Sequence, residues 1–149
     1  MMVNKVGAIP FKITDDGLSI LFVTSLTRKR WIFPKGNLKA KESRKKACKR
    51  EAFEEAGVKG KVLKKFPVTT VIGKSQNNKI DHQLVTYFPL HVHEEAVTWP
   101  EVNDRKRLWV SPEKAKSILD DDDLMKLVEW FKDISPWVIE SAQAKTKER

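Results

Sequence analysis

The residues from Gly36 to Val58 constrain this chain more than any other stretch. They read Gly36-Asn-Leu-Lys-Ala-Lys-Glu42, then Ser43-Arg-Lys-Lys-Ala-Cys-Lys49, then Arg50-Glu-Ala-Phe-Glu-Glu-Ala-Gly57-Val58. Ser43 or Glu42 can cap a helix start, and Gly57 sits where a left-handed residue would end it. Between them lie about four turns of good helix formers without a proline. At about 100° per residue, Glu51, Glu54 and Glu55 fall within a sector of roughly 100° on one face. Three carboxylates so crowded repel one another and raise each other's pKa. A hard divalent cation relieves that repulsion, and an oxygen-only ligand set suits Mg²⁺ or Mn²⁺. Ala47, one turn before Glu51, leaves room on that face. The competing account of any such segment is a solvated helix face whose glutamates pair with lysines.

The rest of the chain supplies a fold for that helix. With 149 residues, 40% of them hydrophobic, it is long enough for one domain with a proper core. We expect a single domain over 1–149, with a core from about 5 to 133 and a C-terminal helix and tail over 134–149. Val6–Ile13, Leu18–Thr24 and Trp31–Phe33 read as strands, with a turn at Asp15-Asp16-Gly17 and a stop at Pro34. Lys61–Phe66, Val68–Ile72, Gln83–Val92 and Leu108–Val110 read as further strands, and Gly73–Lys79 as a polar hairpin loop. Ser111 followed by Pro112 opens a helix. Asp120–Asp123 is best explained as the cap of a helix over Leu124–Phe131 rather than as a metal site. Pro136 is expected to start a last helix, and Ala142–Arg149 to fray. Strands and helices alternating around one central helix imply an α/β or α+β fold with a mixed sheet. No apolar run is long enough to span a bilayer, Met1–Pro10 lacks a signal-peptide core, and one cysteine excludes an internal disulfide. A cytoplasmic location is expected. Cys48 reads as a small packing residue rather than a nucleophile.

The net charge of +9 is unevenly placed. Between Arg28 and Arg50, eleven lysines and arginines stand against one acid, Glu42. A basic surface beside a carboxylate cluster attracts a polyanion. Lys45, Lys46 and Lys49 are expected on a solvated helix face, whereas Arg28, Arg30 and Lys35 flank the strand feeding Gly36 and are expected at the substrate. Nucleic acid as the main partner finds no support, since zinc spacing, a helix-turn-helix pattern and a run of stacking aromatics are all missing. Trp109, Trp130 and Trp137 read as core residues, and Trp31 faces either the core or the site. His91 and His93 share a strand face but lack further ligands for a metal; His82 borders the hairpin loop, where it can touch substrate.

Written as a pattern, the opening stretch is G-x5-E-x7-R-E-U-x-E-E-x-G-U, where U is apolar, and it resembles the Nudix box at every fixed position. At background frequencies of roughly 6–7%, seven fixed residues match at a given start with a probability on the order of 10⁻⁸. The similarity extends to Val6-Gly-Ala-Ile-Pro10, Trp31-Ile-Phe-Pro-Lys-Gly36 and Arg105-Lys-Arg-Leu-Trp109 with Ser111-Pro-Glu113. The resemblance implies an α/β/α sandwich with a mixed central sheet, and Mg²⁺- or Mn²⁺-dependent hydrolysis of a diphosphate linked to another moiety. Carried over by position, Glu51, Glu54 and Glu55 are the metal-binding carboxylates and the Gly36 carbonyl is a further ligand. Arg50 orients a box glutamate, and Glu42 supports the loop or binds through water. Bound metal neutralises phosphate charge and lowers the pKa of the attacking water. Glu54 or Glu55 is the candidate general base, with Glu94, Glu95 and Glu101 as later-loop alternatives.

Within the superfamily, the Trp-x-Phe-Pro-Lys-Gly segment and Arg105–Trp109 look most like diphosphoinositol polyphosphate phosphohydrolases and dinucleoside polyphosphate hydrolases. The resemblance places Lys5, Arg30 and Arg107 against a phosphate-rich ligand, with Ser25 and Arg28 nearby and Arg105 in the same basic segment. Inositol members often carry three glycines where this chain has Lys35-Gly36-Asn37, which tilts the reading toward the dinucleoside class. Tyr87 and Phe88 are candidate contacts for an adenine. The expected partner is a polyanionic small molecule, with the protein a monomer or homodimer and no membrane contact. Nucleotide sugars or capped RNA are alternative substrates, and a non-catalytic Nudix-fold binding protein is the alternative class.

Overall fold

A computed structural model of the chain describes residues 3–76 and 79–147. The elements run β1 (Val3–Thr14), β2 (Gly17–Thr24), β3 (Trp31–Ile32), β4 (Lys35–Asn37), α1 (Arg44–Ala56), β5 (Val58–Val62), β6 (Val68–Gln76), β7 (Lys79–Glu95), β8 (Arg107–Val110), α2 (Pro112–Ile118) and α3 (Asp122–Lys147). The strands form one mixed sheet along the path β3-β2-β1-β7-β5, with β4 paired to β1, β6 to β7 and β8 to β2. β1 and β7 run parallel from Val3↔Gln83 to Phe11↔His91, a pairing that requires a crossover between them. α1 lies in that crossover and packs against β1, β4 and β5.

Period-two alternation along the central strands separates two cores. Val6 and Ala8 of β1, Leu21 and Val23 of β2, and Leu90 and Val92 of β7 meet Ala47, Cys48, Ala52 and Ala56 of α1. Ile9, Phe11, Ile20, Phe22 and Tyr87 face the opposite way, onto Leu124, Val128 and Phe131 of α3. The result is an α/β/α sandwich, as expected, with three helices among the described residues, because the expected helices over Leu124–Phe131 and from Pro136 are one continuous α3. The small residues of α1 let its axis approach the sheet, and they carry Glu51 and Glu55 down on the same side. Among the described residues, no helix is long and apolar enough to cross a membrane.

The capping signals hold. Ser43 accepts from the Lys46 amide, Gly57 ends α1 at φ 66°, and Ser111 accepts from the Lys114 amide with Pro112 beside it. Asp121 accepts from the amides of Asp123 and Leu124 at the start of α3. Boundaries move where pairing outweighs composition. β5 begins directly after Gly57 and ends at Val62, because Val58–Val62 pairs with Leu90–Glu95; residues 64–66 turn instead of continuing the expected Lys61–Phe66 strand. Gly73–Lys79, read as a loop from its polarity, is strand up to Gln76 and again from Lys79, in register with β7. Asn77 and Asn78 lie outside the described residues. Pro136 is interior to α3 rather than its start. A proline removes the N–H that would bond the carbonyl four residues back, and here Ser135 Oγ donates to that carbonyl, Lys132 O, at 2.8 Å. The helix continues past the expected fraying point, anchored by buried Ala142. Trp137, expected in the core, is 61% exposed, whereas Trp31, Trp109 and Trp130 pack partly buried.

Candidate active site

The site is built where β4 meets α1. Gly36 sits on β4 opposite Val6 of β1, and the Glu51 carboxyl lies directly against it: a Cβ at position 36 would fall within that carboxyl group. Glu51 is only 7% exposed. Arg50 organises the surrounding loop. Its guanidinium donates to both Glu42 oxygens at 2.7 and 2.9 Å, to Glu51 Oε1 at 2.6 Å, to Glu54 Oε2 at 3.3 Å and to the Asn37 carbonyl at 2.9 Å. Glu42 also accepts from the Lys39 amide at 3.1 Å, so it ties the loop before α1 to the helix. The Arg50 hydrogen bond, aided by that amide, outweighs desolvation and pulls the Glu42 carboxyl down to about 2.

Glu55 occupies a different environment. It is 6% exposed, accepts from the Lys35 amide at 3.3 Å, and lies 3.5 Å from the Arg105 guanidinium. Burial pushes its carboxyl up to about 8; Arg105 and the Lys35 amide oppose the shift, while nearby Glu51 and Glu101 add to it. Glu54 differs again, with 35% of its side chain open to solvent. Three neighbouring carboxylates therefore have three distinct settings, which follow from the helix turn relative to the sheet.

The C-terminal turn of α1 is closed almost entirely from one later segment. Helices leave their last carbonyls without intrahelical donors. Phe53 O accepts from Gly57 N at 2.9 Å, and Glu54 O from Glu101 N at 3.1 Å. Glu55 O accepts from Trp99 Nε1 at 3.1 Å, and Ala56 O from Arg107 at 3.1 Å. Arg107 also stacks on Trp99 at 4.0 Å. Gly57 is required twice over, by its positive φ and because a Cβ there would stand 2.6 Å from the Trp99 ring. Trp99 was not singled out by sequence reasoning. The segment from Val97 to Arg107 has no periodic pattern, and a tryptophan in a loop carries no local signal of what it touches.

Two expected substrate contacts are engaged within the protein itself. Arg105, with a side chain 7% exposed, bonds Glu101 at 2.9 Å and the Thr24 carbonyl at 2.9 Å besides facing Glu55. Arg107 caps α1. Arg105 is held in the scaffold because a buried guanidinium group needs partners. Lys5 lies opposite Asn37 across the β1–β4 pairing, and Lys35 Nζ donates to Gln83 at 2.8 Å. The Ser25–Arg30 loop is closed by Ser25 N to Arg30 O at 2.8 Å and Arg30 N to Ser25 Oγ at 3.0 Å, which leaves the Arg28 and Arg30 side chains on an exposed turn. Of the later-loop acids, Glu101 adjoins the box carboxylates through Arg105. Glu95 instead pairs with Lys12 and accepts from Trp109 Nε1 at 2.7 Å, and Glu94 lies beyond α1 among lysines. Tyr87 and Phe88 are buried and unable to stack on an adenine. His91 packs on Phe11 and His93, and His82 is exposed opposite Gly73. Cys48 is fully buried, and burial pushes its thiol up to about 12, as suits a packing residue.

The donor set fits a hard divalent cation. Glu51, Glu54 and Glu55 offer oxygen alone, the lack of a side chain at Gly36 lets the Glu51 carboxyl stand directly against that backbone, and burial makes ionising Glu55 costly without a cation. Among the described residues no three acidic, histidine or cysteine side chains are already turned on one point, since Arg50 and Arg105 draw the carboxylates toward themselves.

Comparison with known proteins agrees with this geometry. A sequence model of the NUDIX domain matches residues 3–131. The chain is 31% identical over 128 residues to Nudix hydrolase 13, mitochondrial, of Arabidopsis thaliana, covering 73% of this chain and 63% of that protein. It therefore spans less than two thirds of that relative's length. It is 35% identical over 119 residues to diphosphoinositol polyphosphate phosphohydrolase 3-beta of Bos taurus, covering 78% and 68% respectively. In fold it superposes on a binary complex of C. elegans Ap4A hydrolase with a TM-score of 0.71, covering 91% of this chain and 98% of that one at 19% identity, a likeness of fold alone.

Proposed function

Because this chain belongs to the Nudix hydrolase family, we propose that it is a Mg²⁺- or Mn²⁺-dependent pyrophosphohydrolase acting on a polyphosphorylated small molecule. The observation that carries this reading is the Glu51 carboxyl seated against Gly36, with Glu55 buried beside it and Glu54 open to solvent. Glu51, Glu54, Glu55 and the Gly36 carbonyl would hold the cation. When bound, it supplies charge neutralisation at the phosphates and a lowered pKa for water. Arg50 and Glu42 hold the loop that presents Gly36. Glu54, reachable by water, is the residue placed to accept a proton, while Glu55 is oriented by Arg105 and the Lys35 amide. With Arg105 and Arg107 engaged in the scaffold, phosphate recognition falls to Lys5, Ser25, Arg28, Arg30 and Lys35.

Two substrate classes stand first, diphosphoinositol polyphosphates and dinucleoside polyphosphates. The relative from Bos taurus favours the former, and Asn37 in place of a glycine favours the latter. A relative named as mitochondrial means that the family likeness does not single out the cytoplasm. The test is a panel of diphosphoinositol, dinucleoside polyphosphate, nucleotide-sugar and capped-RNA substrates with excess Mg²⁺ or Mn²⁺, scored by product identity. Glu54→Gln and Glu55→Gln should abolish product release while circular dichroism stays native. Full turnover in both variants, or no product from any substrate, would overturn the reading.

A further inference from the structure

On the flank of α1 opposite the carboxylates lies a groove of about 370 Å³ between the helix and β5. It is lined by Lys45 and Lys49 of α1, Lys59, Gly60 and Lys61 of β5, and His93 and Glu94 of β7. At about 100° per residue, Lys49 points roughly 120–160° away from Glu51, Glu54 and Glu55, and none of the three carboxylates lines the groove. The groove is thus separate from the candidate active site.

Its charge lacks an internal explanation. Four lysines from two elements converge with one acid among them, and among the described residues none of the four forms an ion pair. Lys59 lies 5.0 Å over the Phe53 ring, which covers that aromatic face. Lysines on β5 alone would be accounted for as guards of a sheet edge. Lys45 and Lys49, on a helix turned toward the same space, are not. The first turn of α1 holds Arg44, Lys45 and Lys46 with no acid, which opposes the helix dipole. Like charges gathered at such a cost without a structural return mark a functional constraint. The β5–β7 register shifts between Lys59 and Gly60, and a Cβ at Gly60 would strike the His91 carbonyl of β7, so the close approach of the two strands beside the groove requires glycine there.

We propose that this groove is a second anion site, which takes a small molecule bearing three or more closely spaced phosphates. The volume suits a compact ligand, and the covered Phe53 face offers no platform for bases, which argues against single-stranded nucleic acid. The inference stands independently of the hydrolase reading. It is tested by isothermal titration of the full chain with inorganic tripolyphosphate and, separately, inositol hexakisphosphate, in chelator so that no turnover occurs. The two probes distinguish a linear phosphate chain from phosphates clustered on a ring. At least one should bind with one-to-one stoichiometry, and Lys49→Gln/Lys61→Gln should weaken it at least tenfold with unfolding temperature and cation-dependent turnover retained. Amide shifts on binding should centre on Gly60 and His93. No binding of either probe would overturn the proposal, as would binding unchanged by the lysine pair but lost in Arg28→Ala/Arg30→Ala. Tighter binding of a single-stranded RNA through the same lysines would overturn the ligand class.

Discussion

Substituting Gly36 by alanine adds one methyl group in the place held by the Glu51 carboxyl. Gly36 has no positive φ, so backbone strain does not contribute; the effect is wholly a collision with a buried charge. Either β4 retreats from β1 or Glu51 leaves its contact with Arg50. Losing a charge-assisted hydrogen bond in a part-buried setting costs about 1.5–3 kcal/mol. Arg50 keeps Glu42 and Asn37 as partners, so we take a loss of about 2 kcal/mol, which for a chain of this size lowers the unfolding temperature by roughly 4–8 °C. Displacing Glu51 by about 1 Å should reduce kcat/KM by about 10²-fold. Thermal unfolding and product release of Gly36→Ala measure both. The decisive step is a double-mutant cycle, because Glu51→Ala removes the group with which the methyl collides. Gly36→Ala should then cost little further stability, with a coupling energy of about 1–2 kcal/mol. Equal destabilisation in both backgrounds, or an unperturbed Gly36→Ala protein, would refute the reasoning.

Arg105→Met should destabilise by about 3 kcal/mol, read from the denaturant midpoint, because Glu55, Glu101 and the Thr24 carbonyl lose a shared buried cation. Stability should respond to pH in two opposed ways. Glu42 titrates near 2 folded against 4.5 free, so its contribution is present above about 4.5 and lost as pH falls toward 2; Glu42→Gln removes that slope. Glu55 titrates near 8 folded, so in cation-free buffer its contribution is present below about 4.5 and lost as pH rises through 8; Glu55→Gln flattens that limb. Mg²⁺ or Mn²⁺ at about a hundred times its Kd should stabilise the protein by about 2.7 kcal/mol, and chelation should reverse this. Glu51→Gln/Glu55→Gln should show no such gain in calorimetry.

The limits of composition are visible at particular residues. Polarity made Gly73–Gln76 look like a loop, yet backbone pairing to His82–Lys79 needs no apolar side chain. Pro136 read as a helix start because the rule for proline is local, whereas Ser135 meets the orphaned carbonyl one residue earlier in the chain. Arg105 and Arg107 looked like phosphate ligands because charge in a sequence has no direction. Their guanidinium groups turn inward to Glu55, Glu101 and the end of α1.

The sequence by itself determined the helix, its caps, and the spacing that puts Glu51, Glu54 and Glu55 on one sector, since these follow from a 3.6-residue period and local hydrogen bonds. It also sufficed for the family and the mixed α/β architecture. Only the tertiary structure decided which glutamates are buried, that Gly36 is kept bare by Glu51, and that Trp99, Glu101 and Arg107 close the helix end. Those features depend on contacts between residues dozens of positions apart, for which no periodicity in the chain provides a signal.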